Sequence, residues 1–285
     1  MIIVNTIQEI RNYVREQRAQ GHTIGFVPSM GYLHEGHQSL LRASKERCQT
    51  TVMSIFVNPL QFGPNEDFDR YPRDLERDAK LAEAAGADII FAPSVDEMYP
   101  RGNGQVLTHV DVEEVTLQLC GASRPGHFRG VSTVVSKLFN IVQPDQAFFG
   151  MKDAQQVAVL QTMVDDLNIP VEIVPCPIVR EPDGLAMSSR NVFLTPEERQ
   201  QALVLSQALQ QAEQLVQAGA RDVHQIKEAV RDMIQSQPLA DIDYVELLNF
   251  RDLSPILSLE QPALLALAVR FGKTRLIDNT VLTID

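Results

Sequence analysis

Apolar residues along the chain recur with two periods, and the alternation between those periods predicts the fold. Thr6-x-x-Glu9 forms a capping box, and Ile7, Ile10 and Val14 share one face, so a helix is predicted over residues 6–20. Residues 24–27 form a short apolar run between Gly21 and Pro28, the mark of a buried strand. A helix over residues 37–48 and a strand rich in β-branched residues over 51–57 follow. Strand, helix and strand in succession build a parallel sheet. The series continues with a helix over 72–85 closed by Gly86, a strand over 88–92 and a more exposed, alternating strand over 105–112. A helix over 131–142, a strand over 146–149, a helix over 153–167 and a strand over 171–179 complete it. The two prolines of that last strand predict a sheet edge or a strand that is ending.

Near Arg180 the pattern changes. Thr195-Pro196-Glu197-Glu198 is a helix start, with an N-cap threonine and proline at the first helical position. Ala202, Leu205, Leu209, Ala212 and Val216 follow at helical spacing until Gly219. A second amphipathic helix is predicted over 222–234. Strands then cluster at 242–248, 263–271 and 276–282, the last two joined by the hairpin Gly272-Lys273-Thr274-Arg275. Helices followed by meandering strands describe a separate, smaller α+β unit, with the boundary falling between residues 178 and 185. At about 150 residues per domain, the 285 residues also imply two domains. No internal repeat is present.

Charge narrows the possible partners. Lys and Arg total 25 against 37 Asp and Glu, a formal net charge of −12, which disfavours a nucleic-acid backbone as ligand. A small anion remains open to a locally positive pocket. Cys48, Cys120 and Cys176 lie far apart and form no CxxC pair, which suits a reducing cytosol and supplies no metal-site spacing. The N-terminus turns charged within its first residues, unlike a signal peptide, and no apolar run reaches the length of a membrane span. A cytoplasmic chain without membrane or nucleic-acid partners is expected.

The chemistry concentrates where strands give way to helices. Pro28-Ser29-Met30-Gly31-Tyr32-Leu33-His34-Glu35-Gly36-His37 leaves the first predicted parallel strand and opens the next helix, at the crevice where open α/β sheets bind ligands. His34 and His37, three apart, can both face one side, while Gly36 keeps the backbone bare and the helix start offers amides and a positive dipole to an anion. A zinc reading would need a third ligand that nothing nearby supplies. Met187-Ser188-Ser189-Arg190-Asn191, preceded by Asp183-Gly184, can close hydroxyls and a guanidinium over a phosphate chain. Gly150-Met151-Lys152-Asp153-Ala154-Gln155-Gln156 adds a cation and a carboxylate suited to a ribose hydroxyl or a helix cap. Asn58-Pro59-Leu60-Gln61-Phe62-Gly63 brings a neutral amide beside an apolar wall, and Arg124-Pro125-Gly126-His127-Phe128-Arg129-Gly130 is a basic loop. Taken singly, the last four also suit ordinary turns and caps. No GxGxxG follows a predicted strand, and the apparent Walker end Gly272-Lys273-Thr274 lacks its first glycine, Leu267 standing there.

Together these segments resemble the HIGH/KMSKS nucleotidyltransferase superfamily, through His34-x-x-His37 and Met187-Ser188-Ser189-Arg190. Within it, PSMGYLHEGH, VNPLQFGPNEDF, RPGHFRGV, FFGMKDAQQ and DGLAMSSRN resemble the blocks of the pantothenate synthetase (pantoate–β-alanine ligase) family, in that family's order and over essentially the whole chain. The resemblance implies a Rossmann-like parallel-sheet domain over residues 1–179, followed by a smaller α+β C-terminal domain over 180–285 that carries the second signature as a lid. It implies ATP-dependent condensation of D-pantoate with β-alanine through a pantoyl adenylate, releasing AMP and pyrophosphate, with Mg²⁺ assisting and a homodimer as the assembly.

Carried onto matching positions, the family's roles place ATP against Met30, Gly31, Tyr32, Leu33, His34, Glu35, Gly36 and His37. Gly150, Met151, Lys152, Asp153, Val179, Met187, Ser188, Ser189 and Arg190 continue that site. Lys152 would meet phosphate, Asp153 ribose and Val179 adenine. Gln61 and Gln156 would hold pantoate, with Gln61 also near the amine substrate. His34, His37, Lys152, Ser188, Ser189 and Arg190 would stabilise the departing pyrophosphate. The second signature lacks both lysines of KMSKS, so its charge must come from Arg190 and Lys152. The competing readings are another HIGH-type nucleotidyltransferase and a nucleotide-binding module without catalysis.

Overall fold

A computed structural model describes residues 1–63, 68–102 and 105–284. Nine strands and ten helices follow one another in the described residues: β1 (Ile2–Val4), α1 (Ile7–Ala19), β2 (Ile24–Ser29), α2 (Glu35–Arg47), β3 (Thr50–Ile55), α3 (Leu75–Ala84), β4 (Ile89–Phe91), α4 (Val95–Met98), α5 (Leu119–Ser123), α6 (His127–Val142), β5 (Gln146–Gly150), α7 (Ala154–Asp166), β6 (Glu172–Cys176), α8 (Pro196–Ala202), α9 (Val204–Gln217), α10 (Val223–Gln235), β7 (Ala240–Asn249), β8 (Ala263–Phe271) and β9 (Thr274–Leu282). The first six strands form one sheet in the order β1-β4-β3-β2-β5-β6, and each neighbouring pair is parallel. The last three form an antiparallel sheet, β7-β8-β9.

Strand periodicity explains how the parallel sheet is buried. Side chains alternate between faces, so Phe26, Val52, Ile89, Phe91, Ala147 and Phe149 meet α1, α6 and α7 on one side. Val27, Met53, Ile90 and Phe148 meet Leu40 and Leu41 of α2 and Ala82 of α3 on the other. A sheet covered on both faces needs near-continuous apolar strands, which is how β2 to β5 read. The antiparallel sheet obeys the same rule. Leu265, Leu267 and Val269 of β8 pack under α9 and α10. Leu264 and Ala266 join the core of the parallel-sheet side, so this small sheet packs on that side, with β7 against α5 and β9 against the turn at residues 151–153.

Most predicted elements are present, with boundaries moved by caps and partners. α3 begins at Leu75 because Asp74 caps it, accepting from the Arg77 N–H at 3.0 Å. The helix expected over 196–216 is interrupted at Leu203. β6 is an edge strand, as its prolines required. β1 went unpredicted because three residues are too few to show a period. The strand expected over 105–112 is absent. Its alternation is real, since Val106, Val110 and Val112 face the core, but among the described residues no strand pairs with it. The Val110 N–H donates instead to Thr133 Oγ1 of α6 at 3.0 Å.

The sheet order places the site. β3 and β4 add on one side of β2, and β5 and β6 on the other. The loops leaving β2 and β5 therefore diverge and open a crevice at the carboxyl edge of the sheet, the switch point where such sheets bind ligands. Those loops hold His34 and His37, and Lys152. One close approach supports the crevice floor: a Cβ on Gly130 of α6 would lie 2.4 Å from the Leu60 carbonyl oxygen and 2.7 Å from Gln61 Cα. Only a bare backbone lets the turn bearing Gln61 sit on α6. Gly130→Ala should cost roughly 1–3 kcal/mol through overpacking, read as a lower urea midpoint; an unchanged midpoint would show that the turn yields freely.

Candidate functional site

The loop after β2 is shaped from below by one carboxylate. Gly31 and Tyr32 both adopt positive φ, +88° and 52°, and turn the chain so that the Tyr32 and Leu33 N–H groups point at Asp78 of α3. Each donates to Asp78 at 2.7 Å. Asp78 is buried, and burial pushes its carboxyl up from the usual range while the two backbone donors oppose that shift. A Cβ on Gly31 would stand 2.9 Å from Asp78 Oδ2, so the glycine is required twice, for its φ and for this approach.

The same loop delivers His34 to the N-cap of α2, where two imidazoles replace the usual hydroxyl and carboxylate of a capping box. His34 Nδ1 accepts from the Gly36 N–H at 3.1 Å, and His37 Nδ1 accepts from the His34 N–H at 3.3 Å. The rings lie 4.1 Å apart between centroids. A Cβ on Gly36 would come within 2.9 Å of the His34 ring, so Gly36 makes room for the cap. Because a backbone N–H can only donate, both Nδ1 atoms are unprotonated, and each neutral ring carries its proton on Nε2. Of the amides expected to be free at this helix start, that of Gly36 is occupied by His34.

Electrostatics keep the rings neutral. Desolvation, followed by the positive charge of Lys152, pulls His34 down to about 4. Desolvation, then the neighbouring His34 and Lys152, pulls His37 down to about 3. The site therefore presents two neutral N–H donors beside one ammonium, rather than three cations.

Across the crevice, Gln61 ends a single 3₁₀ turn capped by Asn58, whose Oδ1 accepts from the Leu60 N–H at 3.3 Å. Asn58 Nδ2 donates to Gln61 Oε1 and to the Gly130 carbonyl, each at 3.1 Å, and the Tyr99 hydroxyl donates to Asn58 Oδ1 at 2.7 Å. With Oε1 engaged, the Gln61 amide N–H₂ is the end aimed outward, and it meets the Met30 sulfur at 3.2 Å. His127 Nδ1 donates to the Gln61 carbonyl oxygen at 2.9 Å, which leaves Nε2 as an acceptor 3.1 Å from Arg124.

The last wall comes from the chain after β6. The Met187 N–H donates to the Val179 carbonyl at 3.0 Å, and Asn191 Nδ2 donates to Glu181 Oε1 at 2.7 Å, so residues 180–191 fold back on themselves. Ser188 caps the following 3₁₀ turn by accepting from the Arg190 N–H at 3.2 Å. Ser189 Oγ lies 3.4 Å from the Tyr71 hydroxyl, which links this loop to the parallel-sheet side.

A cavity of about 250 Å³ results. It is lined by Met30, His34, Gly36, His37, Gln61, Gly150, Lys152, Asp153, Gln156, Val179, Met187, Ser188, Ser189 and Arg190, all anticipated from sequence, and walled by Phe56, Val131, Val134, Val135 and Leu138. Gly31, Tyr32, Leu33, Glu35 and Met151 do not line it. Leu33 is fully buried, Tyr32 stacks under Arg77, Glu35 pairs outward with Arg42, and Met151 packs on the core. Asp153 makes no side-chain cap to α7 and stays half exposed, 3.8 Å from Lys152 Nζ. A wider cleft of about 1010 Å³ adjoins the cavity, lying between the antiparallel sheet and the parallel-sheet side's α5, α6 and turn at residues 152–156, and shares Lys152, Asp153, Gln156, Ser188 and Arg190 with it.

Asn58, Tyr71, Asp78 and Tyr99 escaped the site prediction. Asp78 had one signal: a carboxylate on the face of an amphipathic helix that otherwise turns Ala82 inward. Residues 64–67, within the segment that begins at Val57, lie outside the described residues.

Folded-state values below the ordinary 6.5 mean that the unfolded chain binds more protons, so the two rings contribute stability that is complete above pH 6.5 and lost as pH falls toward 4 and then 3. Imidazole ¹⁵N spectra should show both as Nε2–H tautomers near neutral pH, with no titration until about pH 5. A midpoint at the ordinary histidine value in either ring would overturn the assignment.

Comparison with known proteins follows the same lines. The model of the pantoate–β-alanine ligase family matches residues 2–281. A pantothenate synthetase of Pelotomaculum thermopropionicum is 62% identical over 282 residues, covering 99% of each chain. One from Acetivibrio thermocellus is 58% identical over 284 residues, covering all of both. The crystal structure of pantothenate synthetase from Thermus thermophilus superposes with a TM-score of 0.92 at 46% identity, covering 98% of this chain and 99% of that one. The pantoate–β-alanine ligase of Francisella tularensis, complexed with β,γ ATP and β-alanine, does so at 0.80 and 35% identity, covering 99% and 97%. With the family model matching residues 2–281 and with identity and fold shared over nearly the whole length of these proteins, the chain belongs to the pantoate–β-alanine ligase family and is a ligase.

Proposed function

We propose that the ligase works in two half-reactions with ATP as co-substrate: pantoate is first adenylated, and β-alanine then displaces AMP. The carrying observation is the composition of the small cavity, which sets two neutral imidazole N–H donors, Lys152, Arg190 and two serine hydroxyls against two glutamine amides on an apolar wall. The first group suits a phosphate chain, with Asp153 free for ribose and Val179 placed for adenine. The second suits a small acid with hydroxyls and a gem-dimethyl group, held by Gln61 and Gln156 over Val134, Val135 and Leu138.

In the first half-reaction a carboxylate oxygen of pantoate attacks the α-phosphorus. The bond from that phosphorus to the bridging oxygen breaks and pyrophosphate leaves. The nucleophile is already ionised, so no general base is needed. Catalysis consists of positioning and of neutralising charge on the leaving group. Neutral His34 and His37 do this by donating Nε2–H bonds that strengthen as charge develops. Their low proton affinity argues against His37 as a general acid. In the second half-reaction the unprotonated amine of β-alanine attacks the acyl carbon, the bond to AMP breaks, and the nitrogen loses a proton.

Among the described residues no group of three His, Cys, Asp or Glu side chains could hold a metal ion. The residues present do not offer Mg²⁺ a protein site of that kind, and no step here runs through one. Division at residues 179 and 180, with the C-terminal part closing as a lid over the wider cleft, belongs to the same reading. So do a homodimer and a cytoplasmic location; no helix among the described residues is long and apolar enough to cross a membrane.

Omitting substrates one at a time tests the order of events. Pyrophosphate should appear with ATP and pantoate alone, and AMP release should wait for β-alanine; pyrophosphate that also requires β-alanine would exclude a free adenylate step. His37→Ala should slow pantoate-dependent pyrophosphate release by roughly 10²–10³-fold, the usual effect of losing a transition-state donor. A wild-type single-turnover rate in that variant would remove the role.

A further inference from the structure

Two consecutive polar residues, Asp278 and Asn279, are buried in the middle of β9, on a sheet whose other buried positions are mostly aliphatic. Burying such groups is unfavourable unless each is hydrogen-bonded, and the partners they take are informative. Asn279 Nδ2 donates to the main-chain carbonyls of Met151 and of Lys152, at 2.9 Å each. The Asn279 backbone N–H donates to Asp278 Oδ1 at 2.8 Å. Asp278 in turn receives a two-pronged bond from Arg180, Nη1 to Oδ2 at 2.6 Å and Nη2 to Oδ1 at 3.0 Å. Arg180 also donates to the Gly184 carbonyl at 3.2 Å, and its backbone pairs with Ala186, the residue before Met187.

The chain of bonds thus runs from the loop carrying Lys152, through one point on β9, to the loop carrying Met187, Ser188, Ser189 and Arg190. These loops are far apart in sequence, and both line the cavity in the part proposed for phosphate. Lys152 lies on a three-residue 3₁₀ turn, and the Asp153 carboxylate beside its ammonium stands 3.8 Å away and half exposed, a weak local restraint. From this juxtaposition we infer that Asn279 is a positioning residue for Lys152, and that Asp278 and Arg180 extend the brace to the serine-arginine loop.

The inference rests on the proposed two-step reaction, because the brace serves the half of the site assigned to phosphate. Asn279 touches no reacting atom; it acts through the backbone on either side of Lys152. A misplacement near one ångström at a charged group that stabilises a leaving group costs up to about 10²-fold. Gln156, on the pantoate side, follows the braced turn on α7, whereas Gln61 and Asn58 of that side share no hydrogen bond with β9 among the described residues.

Asn279→Asp keeps the volume and removes both donors, and Asn279→Ala removes the side chain. Each should slow pantoate-dependent pyrophosphate release roughly 10- to 100-fold, with the KM for pantoate unchanged. In a Lys152→Ala background the same substitutions should add almost nothing, because the group they position is gone. Equal effects with and without Lys152 would show a merely structural residue and overturn the inference. So would a wild-type rate in a folded Asn279→Asp protein, or failure of both variants to fold by circular dichroism. Wild-type enzyme assayed alongside separates the two levels: if it releases no pyrophosphate with ATP and pantoate, the two-step reading fails; if it does and the variants match it, only the brace fails.

Discussion

The cap of α2 is the interaction on which the site depends. A helix must satisfy its first N–H groups, and most helices do so with a serine, threonine or aspartate. Here the duty falls to His34 and His37, whose Nδ1 atoms accept backbone N–H bonds. That arrangement commits the accepting nitrogen of each ring to the fold and leaves the donating nitrogen for the ligand. Orientation, tautomer and charge state follow from one structural requirement, so neither ring needs a separate group to hold it.

Around that cap the molecule supplies support in layers. Asp78 fixes the loop that leads into it, through a buried carboxylate whose two oxygens each take a backbone donor. The strand order fixes which loops can face it, since only β2 and β5 diverge at the switch point. The antiparallel sheet is the third layer. It packs its second face on the core of the first sheet and sends Asp278 and Asn279 toward the loops at the cavity rim, where Arg180 meets them. An acidic chain can therefore concentrate its cations in one cleft, because lysine and arginine there are placed by backbone geometry rather than by overall charge.

Different parts of this arrangement were legible to different degrees. The motif at residues 28–37 announced itself because strand, glycine turn and paired histidines are contiguous, and contiguous chemistry survives in a linear reading. The exposed strand expected over 105–112 shows the opposite case. Its alternation reported burial against α6 correctly, but alternation says nothing about whether a second strand is there to pair with. Asp78 and Asn279 went unread for a related reason. Each serves a loop many residues distant, and a polar residue on a buried face has no sequence signal that names its partner.

By itself, then, the sequence determined most element types, the two kinds of sheet and most of the groups that line the small cavity, since these depend on local periodicity and on short motifs. Tertiary structure alone decided the strand order that opens the crevice, which nitrogen of each histidine is left to donate, and the depressed proton affinity that keeps both rings neutral. It also decided which buried side chains hold the loops in place. Three of these are set by burial and by contacts between residues distant in the chain, and the free nitrogen is set by the cap geometry that His34, Gly36 and His37 adopt within one turn.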